Sequence, residues 1–389
     1  MDIAETELAD LKQRLRNTRW ATDWATAPWE AGTDAAELRR LVKYWADGYD
    51  WRANEAAINA LPWHAADIAG IGVSYLRYDG EHPDSIPILL TNGWPSSVLE
   101  LTDFAERLAS PTKFGGSAVD ALTVIVPSLP GFGFSGQREP LPTTVPTHEL
   151  WHRLMHDELG FERYAAHGGD LGAGITSRLG EAHPESVVGV HVMAIGMPRD
   201  FDAASATDGE REYLAELDEW VRSEGAYGHQ QSTKPLTLAP ALSDSPAGLL
   251  SWLLEKYRSW SDSHGDVSTR FSDDFLLTQA SLYWFTNAIS TSFRPYYENG
   301  KAVGPISYVT VPTAVALFPA DLNQPPRSWA ERTHNVVRYT AMPRGGHFAA
   351  YEEPELLAAD IVGFLRMVRD GRVDDRHASS QRSDARAVV

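Results

Sequence analysis

The chain has 389 residues, 43% of them hydrophobic, enough for one large core or two modest ones. Its 53 acidic residues against 34 basic ones leave a net charge of −19, which argues against counterion-release binding to nucleic acid or to an anionic membrane surface. There is no cysteine, so disulfides, thiolate-bound zinc, iron–sulfur clusters and thiol catalysis are excluded together.

The first stretch, "MDIAETELADLKQRLRNTRW", is charged, with Leu8, Leu11, Leu15 and Trp20 near helical spacing, and "DAAELRRLVKYWADGYDW" repeats the pattern. Residues 1–65 therefore read as a helical preface. No apolar run approaches the roughly 18 residues that a bilayer span requires, and the expectation is a soluble, cytoplasmic protein acting on small molecules. Strand-like runs rich in β-branched and aromatic residues follow at "GVSYLRYD", "IPILLTN", "LTVIVPSL", "RYAAHGG" and "VVGVHVMAIG", with helix-like stretches such as "SVLELTDFAERLAS" and "THELWHRLMHDEL" between them. Such alternation predicts an α/β fold with a mostly parallel sheet covered by helices on both faces, its first part spanning 66–196. From 197 to 304 the pattern turns helical and aromatic. Its clearest helix lies in "DSPAGLLSWLLEKYRSW", where Ser245 can cap, Pro246 suits the first turn, and Leu249, Leu253, Tyr257 and Trp260 share a face. Strands return at "YVTVPTAVALF" and "NVVRYTAM", so 305–370 reads as the second part of the sheet domain, and the polar residues 371–389 as a disordered tail.

"HGGDLGAGIT", residues 167–176, has the glycine spacing of a nucleophile elbow between a strand and a helix, but with Asp170 at its centre. The bland alternative is a glycine turn with an N-cap aspartate. A carboxylate can attack carbon directly, and the resulting ester then needs a base to activate water. In this topology nucleophile, acid and histidine follow in that order, and "VALFPADLNQPP" and "MPRGGHFAAYEEP" supply Asp321 and His347 on loops after late strands. Asp321 can orient His347 while His347 takes a proton from water. Backbone donors for the oxyanion are expected from the turn "NGWPSS" and the elbow, namely the N–H groups of Trp94 and Leu171.

These residues, with "RNTRW", "YDWRANEAAINALPWHAADIAGIGVSYL", "STKPLTLAPALSDSPAGLLSWLLEKYRSWSD" and "RSWAER", resemble the α/β-hydrolase-fold epoxide hydrolases of the microsomal type almost from end to end. The resemblance implies Asp170 as nucleophile, His347 as base, Asp321 as its acid partner, and Tyr227 in "GAYGHQQSTKP" and Tyr296 in "FRPYYEN" as the lid tyrosines that protonate the epoxide oxygen. Tyr297 is the adjacent competitor, expected with Trp94 and Leu171 to touch substrate. The family usually has His at the position of Asn92 and Trp at that of Leu171; the second difference implies a pocket reshaped for a bulkier substrate. An epoxide and water are the implied reactants, without metal or organic cofactor, and bacterial secondary metabolism is the implied setting. The oligomeric state stays open between monomer and homodimer. Two rivals remain: a haloalkane dehalogenase using the same Asp-His-Asp set, which Leu171 disfavours because its side chain cannot donate to a halide, and a binding protein that keeps the fold without catalysis.

Overall fold

The computed structural model describes residues 1–372 apart from Pro142 and Val303, so the expected tail lies, beyond Arg372, outside the described residues. Three helices open the chain: α1 (Glu5–Arg16), α2 (Ala35–Asp47) and α3 (Trp51–Asn59). Asp34 and Asp50 cap the latter two by accepting from Glu37 N and Ala53 N. The preface thus ends at Asn59, and the expected boundary at residue 65 falls inside a strand that the sequence pattern did not reveal. That strand, β1 (Trp63–Ile68), is half exposed and pairs only with β2 (Ile71–Tyr78), so its residues carry little of the alternation that marks a buried strand.

The remaining elements follow the expected alternation. They are β3 (Ile86–Thr91), α4 (Thr102–Ala109), β4 (Leu122–Pro127), α5 (Thr147–His152), β5 (Tyr164–Gly168), α6 (Leu171–Ala182) and β6 (Val187–Val192). After the helical insertion come β7 (Val309–Leu317) and β8 (His334–Ala341). The eight strands form one sheet in the order β1-β2-β4-β3-β5-β6-β7-β8, with β1/β2 and β2/β4 antiparallel and every other pair parallel. Because β4 lies on one side of β3 and β5 on the other, the loops leaving β3 and β5 diverge. A crevice opens at the carboxyl ends of these strands, the usual place for a ligand in such a sheet.

The insertion between β6 and β7 is helical throughout its regular elements. Its long members are α7 (Asp208–Ser223), α8 (Ala226–Thr233), α9 (Pro235–Asp244), α10 (Pro246–Ser259) and α11 (Asp273–Phe285), followed by α12 (Ile289–Ser292) and α13 (Arg294–Ala302). Ser245 caps α10 by accepting from Gly248 N, and Leu249, Leu253, Tyr257 and Trp260 are all buried, as their spacing predicts. The preface packs on this lid rather than on the sheet face. Trp45 Nε1 donates to Ser281 Oγ at 3.0 Å, the Tyr49 hydroxyl meets Thr278 Oγ1 at 2.8 Å, and Arg40 pairs with Asp273 at 2.6 Å. Trp51 stacks at a tilt on Phe285, with ring centroids 4.7 Å apart. Between β7 and β8 lies α14 (Arg327–Glu331), and after β8 come α15 (Ala349–Glu352) and α16 (Pro354–Arg369).

Candidate active site

Asp170 sits between the end of β5 and the start of α6 with φ 49° and ψ −123°, a backbone conformation that side chains other than glycine rarely adopt. It stands at the N-cap position of α6, but its side chain makes no capping hydrogen bond to the first turn. The neighbouring glycines are needed for space. A Cβ on Gly168 would overlap the Gly172 carbonyl, one on Gly172 would overlap the Thr91 carbonyl at the end of β3, and one on Gly93 would overlap the Asp170 side chain itself. The parallel register that sets Thr91 opposite Gly168 brings the β3 loop onto the elbow. Trp94 N then donates to Asp170 Oδ1 at 2.8 Å, and the Leu171 N–H acts on the same carboxylate. The Trp94–Pro95 peptide bond is cis.

His347 enters from the loop after β8. Its Nδ1 lies 2.7 Å from Asp321 Oδ1, on the loop after β7, and its Nε2 lies 3.9 Å from Asp170 Oδ2. Asp321 Oδ1 also accepts from Leu322 N at 2.7 Å, which holds the carboxylate in place. The lid grips the same loop: His347 N donates to Trp260 O at 2.8 Å, and Gly345 N donates to Asp262 Oδ2 at 2.9 Å. Asp262 is in turn paired with Arg270 at 2.7 Å. Three segments far apart in sequence therefore meet at one imidazole.

Above the nucleophile the lid contributes an aromatic wall. Tyr227 on α8 stacks on Trp94 with centroids 5.5 Å apart, and Tyr296 on α13 meets the same indole edge-on at 6.2 Å. The two phenol rings are 6.0 Å apart, and their hydroxyls act on one another. Tyr297 is not brought to the site. It is 41% exposed, and Lys301 Nζ lies 3.1 Å from its ring centroid, because residue 297 turns away from the face of α13 that Tyr296 occupies. Asp170 and Leu171 close one end of a cavity of about 510 Å³ whose apolar wall includes Leu129, Ile175, Ile195, Met197 and Pro295. At its polar rim Arg138 and Arg294 are both paired with Glu298.

Burial pushes the Asp170 carboxyl upward, opposed by His347 and by the two backbone N–H groups. For His347 burial works downward, but the charge and hydrogen bond of Asp321, then the charges of Asp170 and Glu100, outweigh it and lift the imidazole to about 9. Burial and the Asp170 charge both raise Tyr227 and Tyr296, so these phenols keep their protons at neutral pH. The arrangement sets the Asp170 carboxyl beside the His347 ring, with backbone N–H groups on the carboxyl and two lid phenols on the Trp94 indole.

Residues 1–101 match the family described as epoxide hydrolase N terminus, and residues 86–354 match the alpha/beta hydrolase fold. A Stigmatella aurantiaca protein whose name assigns it to the epoxide hydrolases is 37% identical over 94% of this chain and 84% of its own. Epoxide hydrolase 1 of Oryctolagus cuniculus is 31% identical over 95% of this chain and 88% of its own. The crystal structure of juvenile hormone epoxide hydrolase from Bombyx mori superposes with a TM-score of 0.86 at 28% identity, covering 96% and 94% of the two chains. The chain belongs to the epoxide hydrolases. That assignment takes the epoxide reading over the dehalogenase and the silent binding protein.

Sequence reasoning about this epoxide hydrolase missed the residues that hold the site from behind. Tyr257 and Tyr283 of the lid donate to the carbonyls of Pro95 and Ser96 at 3.2 and 2.9 Å, tying down the loop that carries Trp94. Glu100, in the turn before α4, is buried beside His347. Nothing in the spacing of these residues marks them, since each looks like one more aromatic or acidic position on an amphipathic helix. Gly93 is the glycine whose added Cβ would meet the Asp170 side chain itself, at 2.3 Å. Gly93→Ala should lower turnover of an epoxide about 100-fold, the usual effect of displacing a reacting group by roughly an ångström, while circular dichroism stays native. A variant within a few-fold of the parent would show that the neighbouring backbone can give way.

Proposed function

We propose that this epoxide hydrolase works through a covalent ester on Asp170, with Tyr227 and Tyr296 as proton donors and His347, held by Asp321, as the base that hydrolyses the ester. The observation that carries this reading is the division of labour at one carboxylate: Oδ1 accepts from Trp94 N at 2.8 Å while Oδ2 is the oxygen that faces His347, 3.9 Å from its Nε2. Oδ2 attacks a ring carbon, the carbon–oxygen bond of the epoxide breaks, and a phenol gives its proton to the departing oxygen. The imidazolium proton restores the phenol, which leaves His347 neutral. Water then gives a proton to His347 and adds to the ester carbon, and the charge gathers on Oδ1 at the Trp94 and Leu171 N–H groups. Collapse releases the diol and returns a carboxylate beside an imidazolium, so the cycle closes with water as the sole co-reactant.

The same reading gives the enzyme a bulky apolar or aryl epoxide as substrate. It is supported by the aromatic wall of Trp94, Tyr227 and Tyr296 and by the apolar side of the cavity at Leu171. Among the described residues no helix is long and apolar enough to cross a membrane. A role in bacterial secondary metabolism belongs to this proposal through the resemblance alone, and a cytoplasmic location through the charged first stretch of the sequence.

A single turnover with excess enzyme in isotopically labelled water tests the covalent route. The first diol should carry an unlabelled oxygen taken from Asp170, and label in that diol would refute the ester. Ester formation removes the Asp170 charge that helps to hold His347 near 9, so in the ester the imidazole should lose its proton more readily. Hydrolysis of the accumulated ester, followed by stopped-flow fluorescence, should therefore rise with pH to a plateau with its midpoint below 9; a midpoint at or above 9 contradicts the coupling. Leu171→Trp should shift preference toward smaller epoxides in a competition assay, and an unchanged preference would remove Leu171 from the account of specificity.

A further inference from the structure

A second, much smaller space of about 30 Å³ adjoins the nucleophile, bounded by Asp170, His347, Glu100, Thr91, Asn92 and His167. A single water needs about 10–15 Å³ of such space and two to four polar partners. The lining residues carry acceptors as well as the hydroxyls of Thr91 and Ser96 and the unpartnered Trp94 indole N–H. Asn92 Nδ2 is turned to Gly93 O at 2.9 Å, which leaves its Oδ1 buried without a donor, and Thr91 Oγ1 is likewise unpartnered. Asp360 accepts from His191 Nε2 at 3.1 Å, so His191 Nδ1 carries the lone pair that meets His167 Nδ1 at 3.0 Å. His167 Nδ1 is then the donor, and its Nε2 is left as an acceptor. The Glu100 carboxylate forms no ion pair with any Lys or Arg among the described residues, and Ser96 is the side chain whose hydrogen bond acts on it. A small space beside a base, lined by unpartnered acceptors and by groups that can donate, suits a molecule that brings two hydrogens and two lone pairs.

We propose that this chamber holds the water that hydrolyses the Asp170 ester, and that Glu100 binds it, accepting one hydrogen while His347 Nε2 takes the other. The inference rests on the covalent reading above. In the step, one O–H bond of water breaks toward His347 and a C–O bond forms at Asp170 Cγ. The electron pair displaced from the carbonyl goes to Oδ1, and Glu100 accepts a hydrogen bond without taking the proton. The groups that act electrostatically on Glu100 are His347 and Glu352 from the loop and helix after β8, Asp170 from the elbow, and the phenols of Tyr257 and Tyr283 from the lid. Burial lifts the Glu100 carboxyl to about 7, so the stronger acceptor form prevails on the alkaline side of neutrality, where the ester is hydrolysed.

The test separates the two half-reactions by stopped-flow fluorescence in the full chain with an aryl epoxide such as styrene oxide. Glu100→Ala should slow ester hydrolysis about 10- to 100-fold, the worth of a hydrogen bond to a charged group, while ester formation stays within about threefold. Glu100→Gln keeps an acceptor oxygen and the side-chain shape but removes the charge. It should lose less, and should move the hydrolysis midpoint of His347 about one unit toward lower pH, because one anion that favours the imidazolium is gone. A purely structural role would slow both steps together and leave the midpoint in place, and that result overturns the proposal, as does unchanged hydrolysis in Glu100→Ala. If Glu100→Ala fails to fold by circular dichroism, the midpoint in Glu100→Gln decides alone. If the parent enzyme turns the epoxide over without any ester, the covalent reading falls and this inference with it; an ester whose breakdown ignores Glu100 sinks only the inference.

Discussion

A carboxylate taken out of water must be met by donors or it becomes protonated, and Asp170 carries that constraint for the whole molecule. Its donors come from two places in the chain: Trp94 N from the loop after β3, and the elbow's own Leu171 N. They converge because β3 and β5 are neighbours with Thr91 opposite Gly168, and because Gly93, Gly168 and Gly172 let backbone approach backbone where any side chain would intrude. The strained φ of 49° at Asp170 is held by this surrounding contact. Sheet register, glycine placement and nucleophile geometry are one requirement expressed at three levels.

The lid then acts as structure and as site. Its α10 and α11 hold the oxyanion loop through Tyr257 and Tyr283, and the residues just after α10, Trp260 and Asp262, hold the His347 loop. The preface contributes none of the reacting groups, yet it braces the helices that do this holding, through Trp45, Tyr49 and Arg40. Its link to catalysis runs through packing: without a firm α10–α11 pair, the two loops that meet at Asp170 would be tied only to the strands they leave.

Charge is the second thread. His347 is surrounded by Asp321, Asp170 and Glu100, and their combined field overcomes the burial that would otherwise favour the neutral ring. In the mechanism proposed above, esterification of Asp170 cancels one of those charges at the moment when a neutral base is required. On that mechanism the site contains its own timing: reaction at Asp170 alters the proton affinity of the group that must act next. The phenols of Tyr227 and Tyr296 complete the set because burial and the Asp170 charge keep them protonated until oxygen departs.

Much of this was legible in the residues alone. The alternation of strand and helix patterns, the helical insertion, and Asp170, Asp321 and His347 in their order along the chain follow from local periodicity and from where loops leave strands, and these are properties of short segments. The edge strand β1 was not legible, because a half-exposed strand paired on one side lacks a clean apolar alternation. Tyr296 and Tyr297 were inseparable as adjacent phenols; only the packing of α13 turned one to Trp94 and left the other under Lys301 at the surface. Glu100 and the chamber it lines were invisible for a related reason. The sequence by itself determined which groups are present and on which kinds of element they lie, while the tertiary structure decided which of them share a buried volume, because burial and electrostatic coupling depend on distances between segments that no local pattern records.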